Sequence, residues 1–166
     1  HRINILDPFT LMTCAATATS NIRLGTAVIL FLLRHPVLMA KTTATLDYLS
    51  GGRLTLGISL GGRDKEFEHL GVSLSRRVGR FTEGLEVMRK LWSDEKVTFH
   101  GRYYDLEEAS AQPKPVRNGL IPVILGGRSD GVLKRSGESA DGWVAGSTGD
   151  AEAFAGAWRT VRGHGA

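Results

Sequence analysis

The hydrophobic pattern of the chain alternates between strand-like and helix-like stretches. Residues 22–31 form an almost uncharged, β-branched run that predicts a buried strand, and residues 54–60 form a second such run. Residues 35–50 between them predict a helix, because Pro36 suits a first helical turn and the glycine pair at 51–52 suits a helix end. Two buried strands joined by one helix predict a parallel βαβ unit, which binds ligands beyond the carboxyl ends of its strands.

The same alternation continues on both sides of this unit. Asp7 and Pro8 predict the start of a helix that ends near residue 21. The later pattern predicts, in order, a short helix over 64–70, an amphipathic helix over 75–92, a hairpin over 97–106, a strand over 121–125, a helix over about 129–140, a strand over 143–146 and a last helix from 150. This order predicts an α/β fold with a parallel sheet, either doubly wound or part of a (β/α)8 barrel.

Periodicity also predicts which side chains are buried. Within residues 75–92 an apolar stripe at three- and four-residue spacing predicts the core face, made of Phe81, Leu85, Met88, Leu91 and Trp92. The charged residues on its other faces, Glu83 among them, are interpreted as a solvated surface with ion pairs. Phe67 and Leu70 are expected on the buried side of the short helix, and Cys14 is expected to be a small buried residue.

Composition narrows the class of protein. A length of 166 residues fits one domain, and 42% hydrophobic with 23% charged residues is typical of a globular protein. The net charge of +4 is spread among acidic residues, which argues against nucleic-acid binding. One cysteine excludes an internal disulfide framework and argues against a zinc site. Without a bilayer-spanning run or a signal peptide, we expect no membrane partner and a cytoplasmic location.

The candidate chemistry lies where predicted strands end in glycine or small polar residues. The most informative end is Gly126, Gly127, Arg128 and Ser129, where glycines let a ligand approach the backbone and the next helix offers N–H groups. A phosphate would bind there, although an ordinary tight turn with a serine cap has the same pattern. The loop matches neither a P-loop nor a G-x-G-x-x-G fingerprint. The residues alone therefore predict a phosphate-bearing ligand on a parallel α/β scaffold, with no reaction.

Other candidate residues give weaker signals. His35 begins a predicted helix, and a histidine in that place is more often positional than a ligand contact. The remaining histidines have no partners at metal-ligand spacing, so no metal site is predicted. No Ser/His/Asp or Cys/His set is present to nominate as catalytic. The chain starts with His1 and ends in a helix without a following strand, so we expect a fragment of a larger sheet.

Eight segments of the chain match a known family in order and spacing: residues 7–10, 21–28, 34–37, 45–53, 56–59, 66–71, 121–129 and 140–143. Together they resemble the luciferase-like monooxygenase family, most closely its deazaflavin (coenzyme F-420)-dependent oxidoreductases. The resemblance implies a (β/α)8 barrel that holds a flavin or deazaflavin at the carboxyl ends of its strands. The chain would supply a single domain over residues 1–166 with about the third to sixth βα units, and residues 96–107 would be a hairpin excursion.

The family pattern also implies specific cofactor contacts. A non-prolyl cis peptide behind the ring system would lie at Ala27–Val28, and Ser59 would face the flavin. Gly126, Gly127, Arg128 and Ser129 would hold the cofactor phosphate. Some flavin-using relatives have an arginine where this chain has Leu60, which favours the deazaflavin. The family's catalytic histidine, where there is one, would precede this chain, so the catalytic residues stay unknown.

The resemblance predicts an oxidoreductase that transfers hydride between reduced F-420 and a small organic substrate. One alternative is an FMN-dependent monooxygenase that uses O2. Another, of a different class, is a non-catalytic barrel fragment or a binding-only protein. The chain alone is expected to be inactive, and a homodimer is an open alternative for its assembly.

Overall fold

A computed structural model describes residues 4–61, 64–118, 120–146 and 149–165. In chain order these residues form α1 (Pro8–Ala18), β1 (Leu24–Gly25), β2 (Ile29–Leu30), a 3-10 turn (Phe31–Leu33), α2 (Pro36–Ser50), β3 (Leu54–Ser59), α3 (Asp64–His69), α4 (Arg77–Ser93), β4 (Val97–His100), β5 (Asp105–Ala109), β6 (Val123–Gly126), α5 (Asp130–Ser139), β7 (Gly142–Val144) and α6 (Ala151–Gly163). The predicted α/β order is confirmed.

The chain divides into two compact units. The first combines the residues up to 24 with 31–54 and 60–121, and the second combines 25–30, 55–59 and the residues from 122 onward. The prediction of one domain over residues 1–166 stays a prediction. No helix of the described residues is both long and apolar enough to pass through a membrane.

The first unit is helical and carries the β4–β5 hairpin. Helix α2 contacts both α1 and α4. Local chemistry sets the ends of α2: the Val37 N–H donates to His35 Nδ1 at 3.3 Å, and Gly51, with φ +67°, forms the left-handed cap. His35 is thus a helix cap, as its position predicted. The apolar stripe predicted on α4 is buried in full, and Trp92 Nε1–H donates to the carbonyl of Ala40 at 3.2 Å.

Two burial predictions in this unit are wrong. Cys14 is exposed, because α1 turns that side outward while Phe9, Met12 and Ala16 fill its buried face. Leu70 is 60% exposed, whereas Phe67 is buried. Helix α3 ends at His69, one residue before Leu70, so Leu70 lies in the turn that leads to Gly71.

The second unit contains the sheet, which has the strand order β1-β3-β6-β7 with β2 paired to β3. The β2–β3, β3–β6 and β6–β7 pairs are parallel, which confirms the predicted parallel sheet. Leu56 and Ile58 of β3 are fully buried, as is Val123 of β6. Helices α5 and α6 pack together, and an added Cβ at Gly137 would lie 2.3 Å from the carbonyl oxygen of Val161.

The prediction of one strand over residues 22–31 is wrong. The run breaks into β1 and β2, separated by residues 26–28, and its last residue enters the 3-10 turn. The apolar composition is continuous across the break, so a hydrophobic pattern could not reveal it.

Candidate functional site

The site includes the break between β1 and β2, where the Thr26 side chain takes the place of backbone hydrogen bonds to β3. The Leu56 N–H donates to Pro122 O, so the neighbouring Gly57 groups point to the other side of β3. There the Thr26 hydroxyl donates to Gly57 O at 2.7 Å and accepts from Gly57 N–H at 2.9 Å. Thr26 is buried, and its hydroxyl satisfies both Gly57 groups that the interrupted strand would otherwise leave unpaired.

The peptide between Ala27 and Val28 is cis, as the family resemblance predicted. Val28 covers two glycines on neighbouring strands: an added Cβ would lie 3.1 Å from Val28 Cγ1 at Gly57, and 2.8 Å from Val28 Cγ2 at Gly126. Ala27 is exposed on the same segment. Residues 26–28 therefore occupy space that the two glycines leave open, and Val28 and Gly126, both predicted site residues, are in contact.

Ser59 closes β3 at the same edge of the sheet. It pairs in register with Leu30 of β2, is half-buried, and its hydroxyl lies 3.5 Å from the carbonyl oxygen of Ile29. Because β2, β3 and β6 run parallel, their carboxyl ends share one edge. Ser59 and Gly126 end β3 and β6, and Gly127, Arg128 and Ser129 follow β6, so these five predicted cofactor residues lie at or just beyond such ends. The other two, Ala27 and Val28, lie in the break between β1 and β2, and all seven belong to the second unit.

The loop from Gly126 to Ser129 joins β6 to α5. Gly127 has φ +148°, a conformation that a side chain would strain. Arg128 and Ser129 are exposed. Ser129 occupies the N-cap position of α5, but its hydroxyl makes no capping hydrogen bond. The expected serine cap is thus present in position only.

The electrostatics of this loop favour an anion. The helix end presents backbone N–H groups and the positive end of the helix dipole, and Arg128 adds a full positive charge. Asp130 in the first turn places a carboxylate near the same helix end. The arrangement can hold a phosphate through backbone amides, a hydroxyl and a guanidinium.

Sequence reasoning assigned no role to Thr26 or Trp143. Trp143 was predicted to lie in a strand, and it belongs to the segment 140–143 that resembles the family. In the structure, its indole Nε1–H donates to Gly127 O at 2.8 Å. Nothing in the local sequence around Thr26 indicates that its hydroxyl bonds a residue 31 positions away.

A separate groove of about 530 Å³ lies in the first unit. Apolar residues and one charged pair line this groove. The lining residues are Asp7, Phe9, Thr10, Thr13, Leu33, Arg34, His35, Leu38, Met39 and Thr42. Asp7 and Arg34 form an ion pair of 3.1 Å. The hydrogen bond from the Thr10 N–H, with those from the Thr10 hydroxyl and Arg34, holds the pKa of Asp7 below its usual value. None of the predicted cofactor residues lines this groove.

His100 in the hairpin has carboxylate partners but no metal-site geometry. Its Nδ1 lies 2.7 Å from Asp105 Oδ1, and its Nε2 lies 3.7 Å from Glu107 Oε2. Within the described ranges, no three His, Cys, Asp or Glu side chains are grouped so that they could hold a metal ion. The pair therefore belongs to the surface of the hairpin.

This pair predicts a pH effect of defined sign. The hydrogen bond and charge of Asp105, with the charge of Glu107, raise the pKa of His100 above 6.5. The pair therefore stabilises the hairpin below about pH 6.5. That stabilisation is lost as pH rises through the folded-state pKa, and it is small because His100 is exposed. We expect an NMR titration of His100 to show the raised pKa and Asp105→Asn to lower it. The same change at Asp94 should leave the titration unchanged, and a normal pKa in the unaltered protein would contradict the prediction.

A protein-family model described as luciferase-like monooxygenase matches residues 1–166, the whole chain. Among curated relatives, the uncharacterized protein Rv0953c of Mycobacterium tuberculosis is 39% identical over 140 residues, which are 84% of this chain and 49% of the relative. The F-420-dependent glucose-6-phosphate dehydrogenase of Kineococcus radiotolerans is 35% identical over 133 residues, 78% of this chain and 39% of the relative.

A solved structure shows the same likeness in three dimensions. The coenzyme F-420-dependent tetrahydromethanopterin reductase of Methanopyrus kandleri matches with a TM-score of 0.79 and 25% identity, over 94% of this chain and 48% of that chain. The chain spans about half the length of the relatives it matches.

Proposed function

This chain belongs to the luciferase-like monooxygenase family, and we propose that it forms the cofactor-holding part of an F-420-dependent oxidoreductase. The reaction would be hydride transfer between reduced F-420 and a small organic substrate. The bound cofactor would supply the hydride chemistry, and the protein would supply position and electrostatics.

One observation carries this proposal: five of the predicted cofactor residues lie at or beyond the carboxyl ends of β3 and β6, and Val28, from the break before β2, reaches the same place. Val28 contacts Gly126, Ser59 ends the strand between them, and the loop to Ser129 follows at once. In open parallel sheets and in barrels this edge is where ligands bind. This placement supports the proposal of a site for a ring system and its phosphate.

The residues fit the cofactor in two parts. Ala27 and Val28 would form the surface behind the ring system, with Ser59 facing it. The open backbone at Gly126 and Gly127, with Arg128 and Ser129, would hold the phosphate through amides, a hydroxyl and a charge. We assign no catalytic residue among these groups.

The choice of F-420 over FMN rests on two points. Enzymes of the family use either cofactor. Two of the relatives described above are named for F-420, and Leu60 stands where some flavin-using relatives have an arginine. The alternative is an FMN-dependent monooxygenase, a reaction class that the family description includes.

Equilibrium binding of F-420 and of FMN, followed by fluorescence, tests the proposal. We expect tighter binding of F-420, weakened about tenfold by Arg128→Ala and about threefold by Ser129→Ala, because each change removes a phosphate contact. Arg162→Ala, an exposed arginine on α6 of the same unit, serves as the matched control and should bind as the unaltered protein does.

The other outcomes separate the alternatives. Tighter binding of FMN would move the protein to the monooxygenase branch. Binding of neither cofactor would refute the oxidoreductase and leave a non-catalytic scaffold. If the Arg128→Ala, Ser129→Ala and Arg162→Ala variants bound the cofactor equally well, the loop would not be the place where the phosphate binds.

A further inference from the structure

Trp143 connects strand β7 to the loop that follows β6. It pairs in register with Leu125, and the next residue of β7 pairs with Gly126, so β7 runs beside the strand that enters the loop. Its indole Nε1–H donates to the carbonyl of Gly127 at 2.8 Å. The hydrogen bond is outside the strand ladder and acts on the loop itself.

That hydrogen bond fixes the direction of a second group. The Gly127–Arg128 peptide is trans, since the cis peptides of the described residues are those preceding Val28 and Pro113. In a planar trans peptide the C=O and the following N–H point in opposite directions. Holding the Gly127 carbonyl toward the indole therefore holds the Arg128 N–H pointing away from it. An external anchor matters here, because glycine restricts the rotation of its peptide less than any other residue.

The indole is itself held in place. Its ring stacks on Phe154 of α6, with a centroid distance of 5.6 Å and an interplanar angle of 25°. Stacking of this kind restricts the orientation of the ring. The donor direction toward Gly127 is thus fixed by α6 as well as by β7.

The segment that follows Trp143 also supports the Arg128 side chain. An added Cβ at Gly146 would lie 3.6 Å from both Cγ and Cδ of Arg128, so the stem of that arginine passes over Gly146. Residues 143–146 therefore contact Arg128 at two levels, its peptide and its side chain. Both groups are ones that an anion at this loop would use.

We propose that Trp143 is a positioning residue for the cofactor phosphate, acting through the Gly127 carbonyl to fix the direction of the Arg128 N–H in the loop that would hold a phosphate oxygen. It thereby sets a preference for a phosphorylated cofactor over the same ring system without its phosphate. This inference rests on the proposed function for the identity of the ligand, but its geometry needs only a phosphate group.

The test variant removes the indole N–H donor of residue 143 and keeps an aromatic ring that can stack on Phe154. Trp143→Phe is compared with Trp158→Phe, a matched tryptophan change on α6. Three probes are used: inorganic phosphate, observed by NMR at the Arg128 and Ser129 amides, F-420, and the phosphate-free deazaflavin core. We expect Trp143→Phe to weaken phosphate and F-420 binding about tenfold and to leave the core within about twofold. Trp158→Phe should leave all three unchanged.

A merely structural role would weaken the core and F-420 equally, and that result overturns the inference, as does unchanged phosphate binding. If Trp143→Phe does not fold, the unaltered protein provides a second test. Hydrogen exchange of the Trp143 indole N–H should slow when phosphate saturates the loop. Unchanged exchange would refute the positioning role of Trp143. Amides that shift with inorganic phosphate in a protein that binds neither F-420 nor FMN would refute the proposed function alone. Amides that do not shift would refute the positioning role.

Discussion

Replacing Gly57 by alanine is expected to lower the free energy of unfolding by about 3 kcal/mol or more. The new Cβ would lie 1.8 Å from the carbonyl oxygen of Thr26 and 2.9 Å from its carbonyl carbon. Both are backbone atoms, so no side-chain rotation can relieve the overlap. Moving residue 26 would also break the two hydrogen bonds between its hydroxyl and Gly57. Urea denaturation measures the loss.

Gly131 provides the matched control for this change. It lies in the first turn of α5 in the same unit, and an added Cβ there would meet no atom within 4 Å. Gly131→Ala should be neutral or stabilise the protein by up to about 1 kcal/mol, because alanine favours a helix more than glycine does. Equal stability of the two alanine variants would show that residues 26–28 do not lie over β3 as described.

The elements set by local chemistry could be predicted from the sequence. Helix α2 begins at Pro36, where His35 caps its first turn, and it ends at Gly51, which adopts the left-handed conformation of a helix cap. Each of these effects acts within a few residues. The buried stripe of α4 follows from helical periodicity alone. These interactions leave a trace in consecutive residues, so one sequence suffices to find them.

The geometry of the candidate site could not be predicted in the same way, because it depends on contacts between residues that are distant in sequence. The break at residues 26–28 is stabilised by Thr26 and Gly57, and an apolar run carries no sign of that partnership. The cis peptide at Ala27–Val28 and the role of Ser59 came from the family resemblance, whereas the glycines at the strand end had already indicated a phosphate site at residues 126–129. Trp143 was assigned to a strand correctly, but its hydrogen bond to Gly127 depends on how β7 lies beside β6.

Glu83 shows the same limit in the first unit, because it was interpreted as one charge on a solvated face. Its carboxylate accepts three successive backbone N–H groups at the turn of the hairpin: Arg102 at 3.1 Å, and Tyr103 and Tyr104 at 2.8 Å each. Gly101 permits this approach, since a Cβ there would lie 2.1 Å from Glu83 Oε1. A charged acceptor shared by three donors makes Glu83 the anchor of the turn on α4.

Glu83→Ala is therefore expected to cost about 2 kcal/mol, because three backbone donors lose a charged acceptor and water replaces it only in part. Glu83→Gln should cost less, since its amide oxygen still accepts. Glu86→Ala is the matched control: the same residue type three positions along α4, paired with Lys90 at 4.0 Å and 56% exposed. An exposed pair of that kind contributes about 0.5 kcal/mol or less. Urea denaturation gives the stability, and amide exchange at residues 102–104 locates the loss. If Glu83→Ala were no more costly than Glu86→Ala, with exchange at the turn unchanged, Glu83 would be an ordinary surface charge and the hairpin would be held by its own strands.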